Sequence, residues 1–476
     1  MFDENITYFE KQKRIYPRSV KGRYRRLKWA AIVLLLGIYY GTPWLRWYRG
    51  ENVPDQAVLI DMPARRAYFF GIEIWPDEVY FITGILILAA IGLFFATSLL
   101  GRVWCGYACP QTVWTDLFIW VEEKIQGDRN KRMKLDQQGF SLERLWKKGV
   151  THAIWLVIGL CTGGAWVFYF NDAPTLLDHI RHFDVPWSVG SWILALTGST
   201  YIMAGYAREQ VCKYMCPYAR FQSAMFDKDT LIISYDEDCG EPRGKHKKGD
   251  SWEGRGHCID CTQCVIVCPV GIDIRNGLQM ECIACGLCVD ACNDVMDRME
   301  LPRGLIRYDT QLNYEKRTEA KKTGATVKDK LHILRPRTYY YAAIMTVVSA
   351  FMLYGLIARA PVELHAIQNR NPLFVKLSDG SIRNSYTLKI LNKTHETRHF
   401  TLSVDGVAAK ELSFRSARQQ ETDDLEVLGG TVRQYRVMLV AEKQAQPRLA
   451  VTFRINENDG KMAAEAPTIF VSGEEE

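Results

Sequence analysis

Eight of the chain's 14 cysteines fall between Cys258 and Cys292, and their spacing constrains the fold more than any other stretch. They read Cys258-x-x-Cys261-x-x-Cys264-x-x-x-Cys268-Pro269 and then Cys282-x-x-Cys285-x-x-Cys288-x-x-x-Cys292. Two copies of this spacing are the ligand pattern of a bacterial dicluster ferredoxin. In each run three closely spaced thiolates hold one [4Fe–4S] cluster, and the fourth reaches across to the other. The rule assigns Cys258, Cys261, Cys264 and Cys292 to one cluster, and Cys282, Cys285, Cys288 and Cys268 to the second. Zinc sites favour two CxxC pairs across a longer finger, and disulfides need an oxidising compartment, so both readings fit less well. Ala284 and Gly286 between ligands let the backbone wrap closely, and Ile259, Val265, Ile272 and Ile283 would keep water away. Asn293 stands where the first run has Pro269, a departure that touches no ligand.

Apolar runs at Leu27–Leu45, Val79–Leu100, His152–Phe170, Trp187–Ala207 and Tyr339–Ala358 are each close to the ~20 residues that cross a bilayer core. They predict five transmembrane α-helices in a multi-domain integral membrane protein. The first run is too long for a signal peptide and lacks a small-residue cleavage site, so it reads as a retained anchor. Basic residues set the orientation. Lys11, Lys13, Arg14, Arg18, Lys21, Arg23, Arg25, Arg26 and Lys28 crowd the approach to the first run and its first residues, and Lys124 to Lys148 supplies eight more between the second and third. This predicts a cytoplasmic N-terminus, a cytoplasmic Arg208–Arg337 segment and a C-terminal region on the far side, the periplasm of a bacterial inner membrane. Arg46, Arg49, Arg65 and Arg66 strain the scheme, because they fall in a loop predicted to lie outside. The net charge of +6 comes largely from these membrane-flanking clusters and calls for no nucleic acid.

The chain divides by texture into a basic arm (1–26), four spans (27–226), a connector with the ferredoxin-like insert (227–338, core 250–307), a fifth span (339–358) and a C-terminal region (365–476). Between the first two runs, Arg46–Glu78 reads as a surface loop rich in Pro, Trp and Tyr. The Gln111–Gln126 pattern predicts an amphipathic interfacial helix with Pro110 in its first turn. Leu231–Tyr235 reads as a short strand and Asn313–Lys330 as a solvated linker. After His365, strand patterns at Phe374–Leu377, Ser385–Asn392, His399–Val404, Val432–Glu442, Arg448–Asn456 and Thr468–Ser472, parted by turns such as Asp379-Gly380, predict an immunoglobulin-like β-sandwich without a disulfide.

Two further cysteine pairs close the predicted helices: Cys105-Gly-Tyr-Ala-Cys109-Pro110 and Cys212-Lys-Tyr-Met-Cys216-Pro217. They form an internal repeat in which a pair of spans ends in CxxxCP. Thiols four residues apart share one helical face, so two such pairs offer four soft ligands. Copper, a third iron–sulfur centre and structural cysteines all remain open, because a tetrathiolate set does not discriminate among them. A site that binds Cu(I) better than Cu(II) would also make Cu(II) easier to reduce. Met203, Met215, Met225 and His152 lie near the second motif, with packing and interfacial roles the simpler readings. Cys161 reads as a packing residue, Cys239 has no assigned role, and His179 and His182 fall on an outer loop.

Taken in order, the CxxxCP motifs, the paired ferredoxin runs, the five spans and the sandwich resemble the CcoG (also FixG or RdxA) family of cytochrome c oxidase accessory proteins. Gly101–Pro110, Val211–Gln222, Glu241-Pro-Arg-Gly244 and Arg370-Asn-Pro-Leu-Phe374 carry the likeness with Cys258–Cys292. Cys239 departs from a family pattern that often has Arg there. The resemblance implies a membrane-bound cupric reductase, reducing Cu(II) to Cu(I) for assembly of cbb3-type oxidase. It also implies a copper site at Cys105, Cys109, Cys212 and Cys216, and as partners an electron donor and oxidase subunits or copper-delivery factors; a homo-oligomer is compatible with it. Two other functions compete: a quinol-linked electron-transfer subunit of a respiratory reductase, and a non-enzymatic assembly scaffold.

Overall fold

A computed structural model describes residues 14–50, 53–246, 251–323, 331–416, 425–457 and 462–473. The start of the basic arm, with Lys11 and Lys13, and the end of the expected linker, 324–330, lie outside the described residues. The chain forms two compact units, one of Met1–Leu45 and Ala57–Met352, the other of Arg46–Gln56 and Leu353–Glu476.

The second unit is a β-sandwich. One sheet runs Ala409–Ser416, Thr431–Ala441, Ile382–Asn392 and Val362–Gln368, with Val375–Lys376 also paired to Ile382–Asn392. The other runs Leu425–Val427, Arg398–Asp405, Arg448–Glu457 and Met462–Val471, and every pairing in both is antiparallel. Inward residues alternate along each strand, as in Ile382, Asn384, Tyr386, Leu388 and Ile390, and meet Phe400, Val437, Leu439, Phe453, Ile455 and Phe470 in one dry core. The sequence pattern had found six of these strands. Val362–Gln368, Ala409–Ser416 and Leu425–Val427 add to them.

The long helices belong to the first unit, Pro336–Ile357 ending five residues into the second. Pro76–Leu100, Leu142–Val167 and Pro336–Ile357 are long and apolar enough to cross a membrane, consistent with a membrane protein. The other two predicted spans are less complete: Arg23–Gly41 opens with Arg23, Arg25, Arg26 and Lys28, and Trp187–Ile202 is 16 residues before it passes into a π-helical turn at Met203–Ala207. Leu142–Val167 and Trp187–Ile202 approach closely because Gly163 has no side chain: a Cβ there would lie 2.7 Å from the Ile193 carbonyl oxygen. Between the first two runs, part of the expected loop is instead a three-stranded sheet of Val58–Asp61, Arg66–Phe69 and Ile72–Ile74. Its arginines have internal work: Arg66 lies 3.8 Å from the Trp75 ring centroid, and in the second unit buried Arg49 donates to the carbonyls of Pro54 and Gln56. These guanidiniums are committed to folding, which accounts for basic residues on that loop. The expected linker also differs, since Gln311–Thr323 is a helix that buries Asn313 and Ala320.

Candidate metal centre

Iron–sulfur ligands must converge from loops, because a cubane presents its corners in four directions. Here the first run turns through the short Gln263–Ile266 helix and the second enters the Leu287–Arg298 helix, with Thr262 and Gly286 in left-handed backbone at the two N-caps. Cys258, Cys264 and Cys292 share one buried apolar cluster, with Cys261 packed against it. A charge on Cys292 is felt by Cys264, Cys261 and Cys258, so the last cysteine of the second run sits with the first three. Cys268 conversely lies with Cys285 and Cys288 in a second apolar cluster, and it lines one cavity with Cys282, Cys285 and Cys288. Cys264 also lines that cavity and Cys288 also packs against the first cluster, so the eight thiols lie close together, with Cys292 near the first run and Cys268 near the second, as the crossed ligand pattern expects. Burial pushes the thiols of Cys264, Cys282 and Cys292 up to about 12 and that of Cys288 well above its usual value. Such sulfurs keep their protons until a cation replaces them, and the donor set suits iron–sulfur clusters.

The CxxxCP motifs are built alike. Each CxxxC lies across a π-helical turn, Trp104–Ala108 and Val211–Met215, rather than the expected α-helical one. Cys109 and Cys216 leave the helix into extended backbone and act as N-caps of Pro110–Gln126 and Pro217–Ala224, with proline at the first position of each. Just upstream, Gly101 and Arg208 both take positive φ, +60° and +41°, so the backbone break repeats as well as the cysteines.

The two copies hold each other. Cys105 Sγ donates to Gln222 Oε1 of the second copy at 3.2 Å, and Gln111 of the first donates to the carbonyls of Met203 and Arg208 at 2.9 and 3.1 Å. The four thiols converge: Cys105 responds to charge on Cys109 and Cys212, and Cys212 to charge on Cys109 and Cys216. Burial, reinforced by these neighbours, pushes Cys105 up to about 12 and Cys212 to about 11, while Arg102 pulls the other way on both. Among the described residues no three cysteine sulfurs lie within 4.8 Å of one another, so the four do not form a closed mononuclear cage. A soft ion held by a pair of thiolates needs no such closure.

The first motif also lies against the ferredoxin loops. Cys105 packs on the apolar cluster that contains Cys285 and is flanked by Cys268 and Cys288. A Cβ on Gly106 would stand 2.8 Å from the Ile283 carbonyl and 2.9 Å from that of Ala284, so only glycine allows this approach. Tyr107 Oη donates to the Cys285 carbonyl at 3.0 Å, and Tyr308 Oη to that of Ala284 at 2.5 Å. The second motif meets the same region, since Cys212 lines a small cavity with Pro269, Val270 and Ile283. Buried Arg102 ties the parts together by donating to the carbonyls of Met280, of Cys282 at 3.3 Å and of Ala219 at 2.7 Å.

Arg102, Gln111 and Gln222 were invisible to the cysteine spacing, and only their places within the two repeat motifs signalled them. Cys239 packs against the Cys258 group and accepts from Lys321 Nζ at 3.0 Å. His152 pairs with Tyr201 Oη at 3.0 Å, Met203 and Met215 are exposed, and His179 and His182 lie beside Asp184 and Asp178.

Residues 207–311 match the family model described as a 4Fe–4S dicluster domain, and residues 82–131 match one described as a 4Fe–4S binding domain. Residues 352–473 match the immunoglobulin-like fold at the C-terminus of FixG. The nitrogen fixation protein FixG of Rhizobium meliloti is 46% identical over 444 residues, covering 89% of this chain and 84% of that protein. Protein RdxA of Cereibacter sphaeroides is 49% identical over 88% of each chain, and RdxB of the same organism 48% identical over 86% of each. The chain thus belongs to the FixG/RdxA (CcoG) family, as an iron–sulfur protein of electron transfer.

Proposed function

We propose that the protein is a membrane-bound cupric reductase that turns Cu(II) into Cu(I) for the assembly of cbb3-type cytochrome c oxidase. In this reading five helices span the bacterial inner membrane, with the N-terminus and cluster loops cytoplasmic and the sandwich periplasmic. Cys258, Cys261, Cys264 and Cys292 hold one [4Fe–4S] cluster, and Cys268, Cys282, Cys285 and Cys288 the other. When bound, the two clusters supply a one-electron relay.

The observation that carries the reading is the packing of Cys105 and Gly106 on the loops of Cys268, Cys285 and Cys288. Cys105, Cys109, Cys212 and Cys216 receive the copper substrate. Their sulfurs favour Cu(I) over Cu(II), which raises the driving force for reduction at that spot. Apolar neighbours partly shield Cys105, and Arg102 holds the receiving turn against the cluster loop. The immediate copper acceptor would be an oxidase subunit or a delivery factor.

Anaerobic protein reduced with dithionite, freed of excess reductant and mixed with Cu(II) should form Cu(I), scored by a Cu(I)-specific chelator. Serine variants of the four motif cysteines should keep their iron and lose copper binding and reduction. If they retain both, the copper site lies elsewhere.

A further inference from the structure

A cavity of about 380 Å³ opens beside the second CxxxCP motif, within the 300–1,000 Å³ range typical of small-ligand sites. Its wall includes Gln126, Thr151, His152, Trp155 and Tyr206. His152 and Trp155 belong to Leu142–Val167, one of the three helices able to cross a membrane, so the cavity lies toward the N-terminal, more polar end of that helix. Tyr206 is 61% exposed, and Ile154, Leu156 and Val157 of the same helix are also exposed, as an opening toward lipid requires.

The charged groups around it are engaged with one another. Glu122 takes Arg14, Arg132 and Arg208, and Asp136 takes Arg14 and Lys148. Cations outnumber carboxylates here, with Arg144 and Glu209 also on the wall, but Arg14, Arg132, Arg208 and Lys148 are each already ion-paired. What remains is neutral hydrogen-bonding capacity and aromatic surface, Trp155 being stacked on Phe118 with centroids 5.0 Å apart.

One acceptor there is unsatisfied. Thr151 Oγ1 spends its only proton on the Lys147 carbonyl at 2.7 Å, so Gln126 must present its NH2 to that oxygen, which it does at 2.9 Å. This orientation leaves Gln126 Oε1 buried without a partner, on a residue 2% exposed. A buried carbonyl oxygen on a cavity wall calls for a ligand that donates. His152 Nδ1 is held by Tyr201 Oη at 3.0 Å, which leaves Nε2 as the second polar atom of the ring.

From this geometry we propose that the cavity binds the hydroquinone head of a membrane quinol, one hydroxyl donating to Gln126 Oε1 and the other meeting His152 Nε2. The proposal names the electron donor and does not depend on copper as acceptor. Arg208 and Glu209 line both this cavity and the small one that holds Cys212, Pro269 and Ile283, so the donor site adjoins the thiol and cluster region. Oxidation of one hydroquinone to quinone breaks two O–H bonds and releases two electrons and two protons. The two clusters that the eight cysteines would hold could accept one electron each, and the protons leave to water through the cavity mouth, the first by way of His152.

The test uses full-length protein in phosphatidylcholine nanodiscs with a short-chain azidoquinone as photolabel. The adduct should map to the peptide containing Leu142–Val167, and decylubiquinol should suppress it. Gln126→Leu and His152→Phe should each weaken labelling at least tenfold and slow cluster reduction by decylubiquinol at least tenfold, while His152→Gln recovers part of both. Iron content and the dithionite-reduced spectrum report that the fold is intact. Labelling elsewhere, or parental labelling in both intact variants, overturns the proposal and leaves Gln126 bonded to an ordered water. Labelling of the same peptide by a photoactivatable cardiolipin, undisplaced by decylubiquinol, overturns it in favour of anionic lipid. Copper reduction from dithionite is scored separately, so failure at the donor site and failure at the copper site are distinguishable.

Discussion

Cys105 shows how much one side chain's surroundings decide. Its sulfur is half-buried, pushed up to about 12 and bonded to Gln222, so at neutral pH it is a thiol that releases its proton only to a cation. Copper binding at the motif cysteines should therefore liberate protons. Cu(I) affinity, measured by chelator competition, should rise between pH 6 and pH 8, because the raised thiols of Cys105 and Cys212 stay below their pKa throughout that window. An affinity flat over the two units would mean that these thiols are not ligands. Arg102 is the second decisive residue, because its planar fork serves three carbonyls, two on the loop of Met280 and Cys282 and one on the Pro217–Ala224 helix. Hydrogen bonds to a charged group contribute about 1.5–3 kcal/mol each. Arg102→Gln should lower the melting temperature and the iron content together, and Arg102→Lys should not restore them, since a point charge cannot span the three acceptors. Nothing in the spacing of cysteines announces either partner. Gln222 and Arg102 act across the repeat, through contacts that have no period along the chain.

At the level of elements, what was legible followed from periodicity and length. The eight-cysteine loops, the Pro110–Gln126 helix and six strands of the sandwich could be read directly, because spacing or alternation sets them. The Val58–Ile74 sheet could not, since strands of three or four residues are too short for alternation to emerge from a segment dense in aromatic and turn residues. The π-helical turns at both CxxxC motifs were equally hidden, because four-residue spacing reads the same on an α-helix. Glu122 shows why the Pro110–Gln126 helix sits as it does: three guanidiniums from separate segments converge on its carboxylate, itself 1% exposed. Burial alone would raise that carboxyl, but Arg208, Arg132 and Arg14 outweigh it and hold it below the usual range. Glu122→Gln leaves buried cations uncompensated and should cost about 3–5 kcal/mol, read as a lower denaturation midpoint in detergent. Gly163→Leu should part Leu142–Val167 from Trp187–Ile202, at a cost of about 1–3 kcal/mol from overpacking.

For the whole molecule, the division into two compact units makes the sandwich separable in principle. Its core of Tyr386, Phe400, Phe453, Phe470 and their neighbours draws on both of its own sheets. A fragment spanning 353–476, which carries every strand of the sandwich but not the Arg46–Gln56 part of that unit, should unfold in one cooperative transition, and the remaining chain should keep its iron. A fragment that stays unfolded would show that the sandwich needs the rest of the chain. The packing of Gly106 on Ile283 and Ala284 also bears on how such a protein is made. The first CxxxCP turn leaves the ribosome well before the loop it rests on, and Gln222, which Cys105 bonds, also emerges later. During synthesis this turn waits with an open flank, and its thiols gain their final environment only after the second cysteine run is translated. The thiol site and the cluster loops are thus completed together, although Gly106 and the Ile283 it packs on are more than 150 residues apart in the chain.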